Sequence, residues 1–485
     1  MKHLRTIIII AVCILLLIPN FVPRLFNEIH ELGFQLPIWS IIPFIGMLLS
    51  IALFPLFKPE WWEKNLFNVA IFWSLVFIVP FTIGFGPYQA GHRFYEILLL
   101  DYLPFIVLLL GLFTVSGGIV LKGSLEGSPK VNLILLIVGV VIASWVGTTG
   151  ASMLLIRPVL RANAWRKKKV HVIVFFIFLV SNIGGCLTPL GDPPLYLGFL
   201  RGVPFFWTMQ LAPMLIFNAV ILLVVFFLLD RRYYKKEIEA GNRPPVTEQK
   251  EPLRVEGLHN FIFLAMIVFA VMLSGHLATQ ESFWDAATGE LIGIPFAYHL
   301  TIPLNNVIQI IIILIAAFLA MRTTKKELRE NNNFTWGPIK EVACLFIGIF
   351  ITMIPVLAIL AARGAELGIT QPWQFFWVTG ALSSFLDNAP TYLVFMTTAS
   401  ALPAAGGLMT FIGPIAPQLL LAVSAGAVFM GANTYIGNAP NFMVRCIAEE
   451  NGIKMPSFFG YMAWAGKVLI PLFILDTLVF FVLLQ

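Results

Sequence analysis

Four short motifs carry the residues of this chain that could do chemistry. Two contain an acid: Asp192 in Leu-Thr-Pro-Leu-Gly-Asp-Pro-Pro (187–194), and Asp387 in Ser-Phe-Leu-Asp-Asn-Ala-Pro-Thr (384–391). The other two are neutral: Trp-Val-Gly-Thr-Thr-Gly-Ala-Ser (145–152) and Asn-Thr-Tyr-Ile-Gly-Asn-Ala-Pro-Asn (433–441). Each lies inside an otherwise apolar stretch. An acid at such a depth costs at least a few kcal/mol, so it has a partner or a task. One chemistry open to it is cation ligation or proton carriage, and a carboxylate whose pKa is raised by burial can exchange a proton for sodium. The other is structural: in Gly-Asp-Pro-Pro and Asp-Asn-Ala-Pro the Asp or Asn can N-cap a helix whose first turn holds Pro. The two are compatible. Neutral oxygens and amides cluster at the same four places: Thr148, Thr149, Ser152, Thr188, Gly191, Asn388, Thr391, Asn433, Thr434, Gly437, Asn438 and Asn441. The expected ion- or substrate-binding set is these residues with Asp192 and Asp387, which would be the sodium ligands.

Positioning such groups takes a membrane-spanning scaffold. The 485 residues are 59% hydrophobic and 12% charged, about half the charged share of an ordinary soluble domain. Apolar segments long enough for a hydrocarbon core of about 30 Å recur throughout. They fall near 6–20, 37–57, 66–85, 102–121, 131–160, 170–202, 206–229, 259–275, 300–321, 338–360, 373–403, 414–446 and 458–483. The net charge of +6 is no nucleic-acid signal, because Lys and Arg gather in loops as orientation marks. Arg161–Lys169 is the strongest mark, and loop 276–298, with three acids and no Lys or Arg, reads as external. The four cysteines follow neither zinc nor disulfide spacing, and the seven histidines show no metal motif. His92, His276 and His299 read as external-loop or helix-end residues, His171 and His259 as cytoplasmic helix ends. Trp61 and Trp62 read as an interfacial belt. Met1–Asn20 resembles a signal peptide without a cleavage site and is expected to remain as a first helix.

Loop charges on both sides are satisfied if 131–160 is a re-entrant hairpin from the cytoplasm and 373–403 one from outside. The expected fold is then an all-α polytopic membrane protein of about 11 transmembrane helices and two re-entrant hairpins, N-terminus inside and C-terminus outside. The chain divides into residues 1–36 (first helix and external loop), a first repeat at 37–229, a cytoplasmic linker at 230–258 and a second repeat at 259–485. Each repeat holds one hairpin and one broken helix (170–202 and 414–446), and an odd number of crossings inverts the second relative to the first. Gly191-Asp192-Pro193-Pro194 aligns with Gly437-Asn438-Ala439-Pro440. Gly and Pro clusters in membrane helices require unwound backbone that faces protein or a polar cavity. Free carbonyl ends there suit cations, and free amide ends suit anions. Two further residues stand apart: Arg157, a possible anion contact, carboxylate partner or snorkelling side chain, and Asp476, a possible proton-relay acid or structural pair.

The stretches LTPLGDPPLY, SFLDNAPTYLVF and YIGNAPNF resemble the paired signatures of the ion transporter superfamily. Within it they are most similar to NhaD-type sodium/proton antiporters and the related arsenite and citrate permeases. The resemblance implies an inner-membrane secondary transporter, a homodimer with an elevator-like transport domain, and no bound cofactor. Asp192 would be the acid of the first broken span, and Asp387-Asn388 the tip of the second hairpin. At the first tip NhaD-like antiporters often carry a second Asp-Asn pair; here that place is Thr149-Gly150. The leading expectation is sodium or lithium exchange for protons, without enzymatic activity. The alternative is sodium- or proton-coupled transport of citrate, a dicarboxylate or another oxyanion such as arsenite. No GxSxG or HExxH motif supports a hydrolase.

Overall fold

The computed structural model describes residues 29–243, 252–286, 289–332 and 334–483. The expected first helix at 6–20 lies outside the described residues. The chain is an all-α polytopic membrane protein. Among the described residues eight helical stretches are long and apolar enough to cross a membrane. That figure and the larger expectation count different objects. One of the eight, Pro129–Val146, is a hairpin arm; another, Pro59–Ser116, runs for 58 residues and holds two crossings; the broken helices fall below the length limit.

The first group of helices is α1 (Ile29–Gln35), α2 (Ile42–Phe57), α3 (Pro59–Glu96) and α4 (Leu103–Ser116), with a π-helical turn at Ile97–Tyr102 joining the last two. Gly86, at φ 84°, breaks α3, since only glycine takes that conformation without strain. Residues 86–101, between the apolar segments 66–85 and 102–121, are therefore not a loop: the chain turns at Gly86 and stays helical. Buried in that helix, His92 bonds the Tyr298 carbonyl at 2.8 Å rather than lying in a loop. Trp62 is also buried, against Phe54, and only Trp61 keeps an exposed ring.

The first site-bearing set follows. Helices α5 (Pro129–Val146) and α6 (Thr148–Ala162) fold back on one another at Gly147, φ 81°. Next, α7 (Val170–Leu179) unwinds through a 3-10 turn at Ile183–Gly185 and restarts as α8 (Pro193–Leu200). Then α9 (Ala212–Glu239) runs well past the expected start of the linker. Position 230 was expected to open that linker, but Asp230 is fully buried on α9. It bonds Arg166 at 2.5 Å and His171 at 2.7 Å. The ion pair, with Asn132 on the second carboxylate oxygen, lets charged residues sit inside.

The second half mirrors this plan. Helices α10 (Asn260–Ala278) and α11 (Leu304–Thr323) pack with α4, followed by short α12 (Lys326–Asn331) and long α13 (Gly337–Arg363). A second hairpin, α14 (Pro372–Phe385) and α15 (Asn388–Ser400), and a second broken pair, α16 (Pro417–Met430) and α17 (Ala439–Glu450), precede α18 (Phe458–Leu478). Three two-stranded antiparallel ribbons trim the loops. They are β1 (Val120–Lys122) with β2 (Arg254–Glu256), β3 (Gly293–Pro295) with β4 (Thr301–Pro303), and β5 (Leu408–Thr410) with β6 (Gly413–Ile415).

The packing is crossed. The return arm α6 of the first hairpin lies on α17 of the second repeat, and the return arm α15 lies on α8 of the first. Four helix starts thereby converge at the centre of the chain's hydrophobic core.

Candidate functional site

Asp192 stands at that convergence. It is buried, and its side chain does not cap α8, whose first two residues, Pro193 and Pro194, have no N–H and whose third, Leu195, gives its N–H to the Asp192 carbonyl at 3.1 Å. Instead its carboxylate is bonded from three other helix starts. Thr148 Oγ1 at the start of α6 donates to Oδ1 at 2.9 Å, and Asn438 Nδ2 before α17 donates to the same oxygen at 3.0 Å. Asn388 Nδ2 at the start of α15 donates to Oδ2 at 2.6 Å. One carboxylate thus ties both hairpin tips to both helix breaks. All three donors are neutral, and no ion pair reaches Asp192 among the described residues.

A second ring backs these partners. Asn438 also donates to the Ser181 carbonyl (3.1 Å), Asn182 joins Asn441 (2.7 Å), and Asn441 holds the carbonyls of Gly431 and Thr434 at 2.8 and 2.9 Å. Ser152 and Ser181 share a hydroxyl bond of 2.8 Å. Asn182, Ser181 and Ser144 escaped the sequence reading because they lie outside the Gly/Pro motifs; intramembrane Asn182, just before Gly184-Gly185, was the available signal.

The two breaks are fastened alike. Thr188 bonds the Ser144 carbonyl and Thr434 the Ser384 carbonyl, each hydroxyl also receiving a loop N–H two residues on, at 3.2 Å. These threonines therefore satisfy unwound backbone and do not reach Asp192. Gly191 and Gly437 allow main chain to cross main chain: a Cβ on Gly191 would collide with the Gly185 carbonyl, and one on Gly437 would sit 2.7 Å from the Ser383 oxygen. The matched Ser144 and Ser384 carbonyls set the register of the repeat. In that register Asp387-Asn388 is equivalent to Gly147-Thr148, not to Thr149-Gly150 as expected from sequence. The first tip has the hydroxyl of Thr148 where the second has the Asn388 amide.

Asp387 behaves differently from Asp192. It is half-buried and accepts from Ala389 N at 3.0 Å, capping α15, with Thr391 Oγ1 on its carbonyl at 2.9 Å. Thr149 is half-buried at the opposite tip, and the first-turn amides of Thr149 and Gly150 donate to no acceptor among the described residues. Asn433 donates to Ser384 Oγ at 2.9 Å. Asn388 Oδ1 and Asn433 Oδ1 are buried acceptors with no donor. Oxygens of this kind, like those of the Asp192 carboxylate, are the ligand type that hard cations take. Among the described residues no thiol or imidazole is hydrogen-bonded to them.

The remaining two residues lie elsewhere. Arg157 is nine positions along α6 from Thr148, roughly 13 Å, and donates to Asn332 Oδ1 at 3.2 Å; among the described residues no carboxylate lies within ion-pair distance of it, Glu450 acting on it from further off. Asp476 is buried on α18, its two oxygens 3.0 and 2.9 Å from Asn218 Nδ2 on α9, while Asn218 Oδ1 has no donor.

Inverted hairpins, crossed broken helices and a buried carboxylate at their junction define a multi-pass membrane protein of the transporter class. A family described as "Putative citrate transport" matches residues 33–481, and the chain belongs to that family. No curated protein matches it.

Proposed function

We propose that the protein is a secondary active transporter of citrate-type carboxylate anions, coupled to a cation at Asp192. The observation that carries this reading is the carboxylate held by three neutral donors from three other helix starts. A buried charge with only neutral partners is costly, so a cation lowers its energy. Asn388 and Asn433 offer their free oxygens to it. Bound sodium would supply positive charge at the junction; a proton on Asp192 would remove the negative one. Either change lets an anion approach the free amides of Thr149 and Gly150, at the positive end of α6. Asp476, with an amide as partner, is a second place for a proton.

All groups that touch Asp192 belong to the two hairpins and the two broken helices. That supports an elevator-type movement of these elements, as one unit, against α1–α4 and α10–α13. The loop charges support an inner-membrane protein with a cytoplasmic N-terminus and an external C-terminus, and the superfamily resemblance supports a homodimer. Cation/proton exchange without an anion uses the same carboxylate and is the competing reading. The test is uptake of labelled citrate into proteoliposomes under an imposed sodium gradient, then under a proton gradient, with a trapped pH dye as second readout. Gradient-driven accumulation of citrate is expected. Sodium-driven proton movement without any carboxylate, and no citrate uptake, would overturn the reading in favour of exchange.

A further inference from the structure

A wide cavity lies away from Asp192. A space of about 1480 Å³ opens at the other end of α8, lined by Arg201, Asp101, His92, His276, His299 and Phe411 among others, and none of the groups bonded to Asp192 lines it. Small-molecule sites usually measure roughly 300–1,000 Å³, so this is a vestibule, through which a hydrated anion can pass. Arg201 is the one lysine or arginine among the described residues on its wall. Three acids share the wall, Asp101, Glu96 and Glu290; Glu96 bonds Arg93 at 2.7 Å, and the neighbouring His92 takes the Tyr298 carbonyl.

Arg201 is built to be in place. It follows the last turn of α8, the helix that begins at Asp192, so eight residues separate the two. That is about 12 Å of rigid helix. Its carbonyl accepts from Phe411 N at 2.8 Å, and the next residue, Gly202, has φ 93°, with space for a Cβ closed by Phe411. Its guanidinium spends one N–H, Nη2 to Asp101 Oδ2 at 2.8 Å, and its side chain keeps 22% exposure. The rest of the five-donor fork has no protein acceptor among the described residues, and Arg201 borders the cavity. Asp101 sits in the π-helical turn at Ile97–Tyr102, a local widening of the kind that recurs at functional positions.

We propose that Arg201 is the receiving residue for the anion: a carboxylate entering the vestibule replaces Asp101 on the guanidinium. The exchange favours the newcomer because a free carboxylate can meet the fork through two parallel N–H bonds, whereas Asp101 uses one. It also gives carboxylates an advantage over anions without a planar pair of oxygens. Since Arg201 and Asp192 flank the two ends of α8, an anion held at one end bears on the helix that carries the coupling group at the other. This inference rests on the carboxylate-transport reading.

The test is initial-rate citrate uptake into proteoliposomes, with KM and maximal rate resolved separately, for wild type, R201Q, R201K and D101N, each checked by thermal unfolding. R201Q is expected to raise KM on the order of tenfold, the worth of one charge-assisted hydrogen bond, with the maximal rate largely kept. D101N, which releases the fork, is expected to lower KM. Should R201Q not fold, R201K preserves the charge but not the fork, and its KM should still rise severalfold. Wild-type uptake with an unchanged KM in R201Q and R201K would overturn the assignment, as would equal losses of maximal rate in R201Q and D101N at constant KM, which mark a structural latch. If the wild type accumulates no carboxylate at all, the transport reading itself falls.

Discussion

Replacing Asp192 by Asn removes one charge and almost no volume, and the structure lets the cost be worked out. In D192N the new side-chain oxygen can still take the bonds from Thr148 and Asn438, leaving an N–H₂ group facing Asn388. A half-turn of the Asn388 amide presents its oxygen, which has no donor in the wild type, and converts the clash into a bond. Three charge-assisted bonds become three neutral ones, a loss of roughly 1 kcal/mol each. Against that stands relief of the cost of a buried ion, several kcal/mol. The two nearly cancel, so D192N is expected to unfold within about 2 kcal/mol of wild type. D192L keeps no acceptor and strands three donors, at about 1–3 kcal/mol each. The assay pairs thermal unfolding in detergent with gradient-driven uptake in proteoliposomes. The expected result is a folded D192N with coupled transport abolished, and a D192L that melts far lower. Coupled uptake in D192N at the wild-type rate would refute the role assigned to this carboxylate, and melting of D192N as low as D192L would refute the amide-turn argument.

Other substitutions separate structure from transport. D387N keeps an N-cap for α15 whereas D387A loses it, at about 1 kcal/mol; if capping is its whole task, D387N transports normally and only D387A melts lower. G437A drives a Cβ into the Gly431 and Ser383 carbonyls and is expected to abolish folded expression, measured by fluorescence-detected gel filtration, while G466A meets no atom within 4 Å and should match wild type. D230N leaves the buried Arg166 guanidinium without its ion pair and should lower stability by about 3–5 kcal/mol, read as a fall in unfolding temperature; an unchanged melt would contradict the burial described for that pair.

Much of the architecture was legible in the sequence because a membrane allows few backbone solutions. Apolar length reveals helices, and Gly/Pro clusters inside such segments leave only unwound backbone. The breaks at Gly147 and at 386–387 lie within the motifs, and those at 180–192 and 431–438 overlap them, for that reason. The failures share a cause as well. Residues 86–101 fell between two apolar segments, yet Gln89, His92 and Arg93 are buried in a helix there, His92 on the distant Tyr298 carbonyl. The basic run 161–169 and Asp230 were read as solvated because each was weighed alone, whereas Arg166, His171 and Asp230 neutralise one another across more than fifty residues.

By itself, the sequence determined the membrane class and the short list of polar residues at helix breaks, since these follow from local apolar length and local backbone need. Tertiary structure alone decided what each residue on that list does. Crossing α6 over α17 and α15 over α8 turned Asp192 away from its own helix toward three others, and left Asp387 to cap α15. It put Thr188 and Thr434 on backbone carbonyls, sent Arg157 to Asn332, and drew Asp101 and Arg201 together on a cavity wall. Side-chain roles of this kind depend on which surfaces meet, and no spacing along a single chain carries that information.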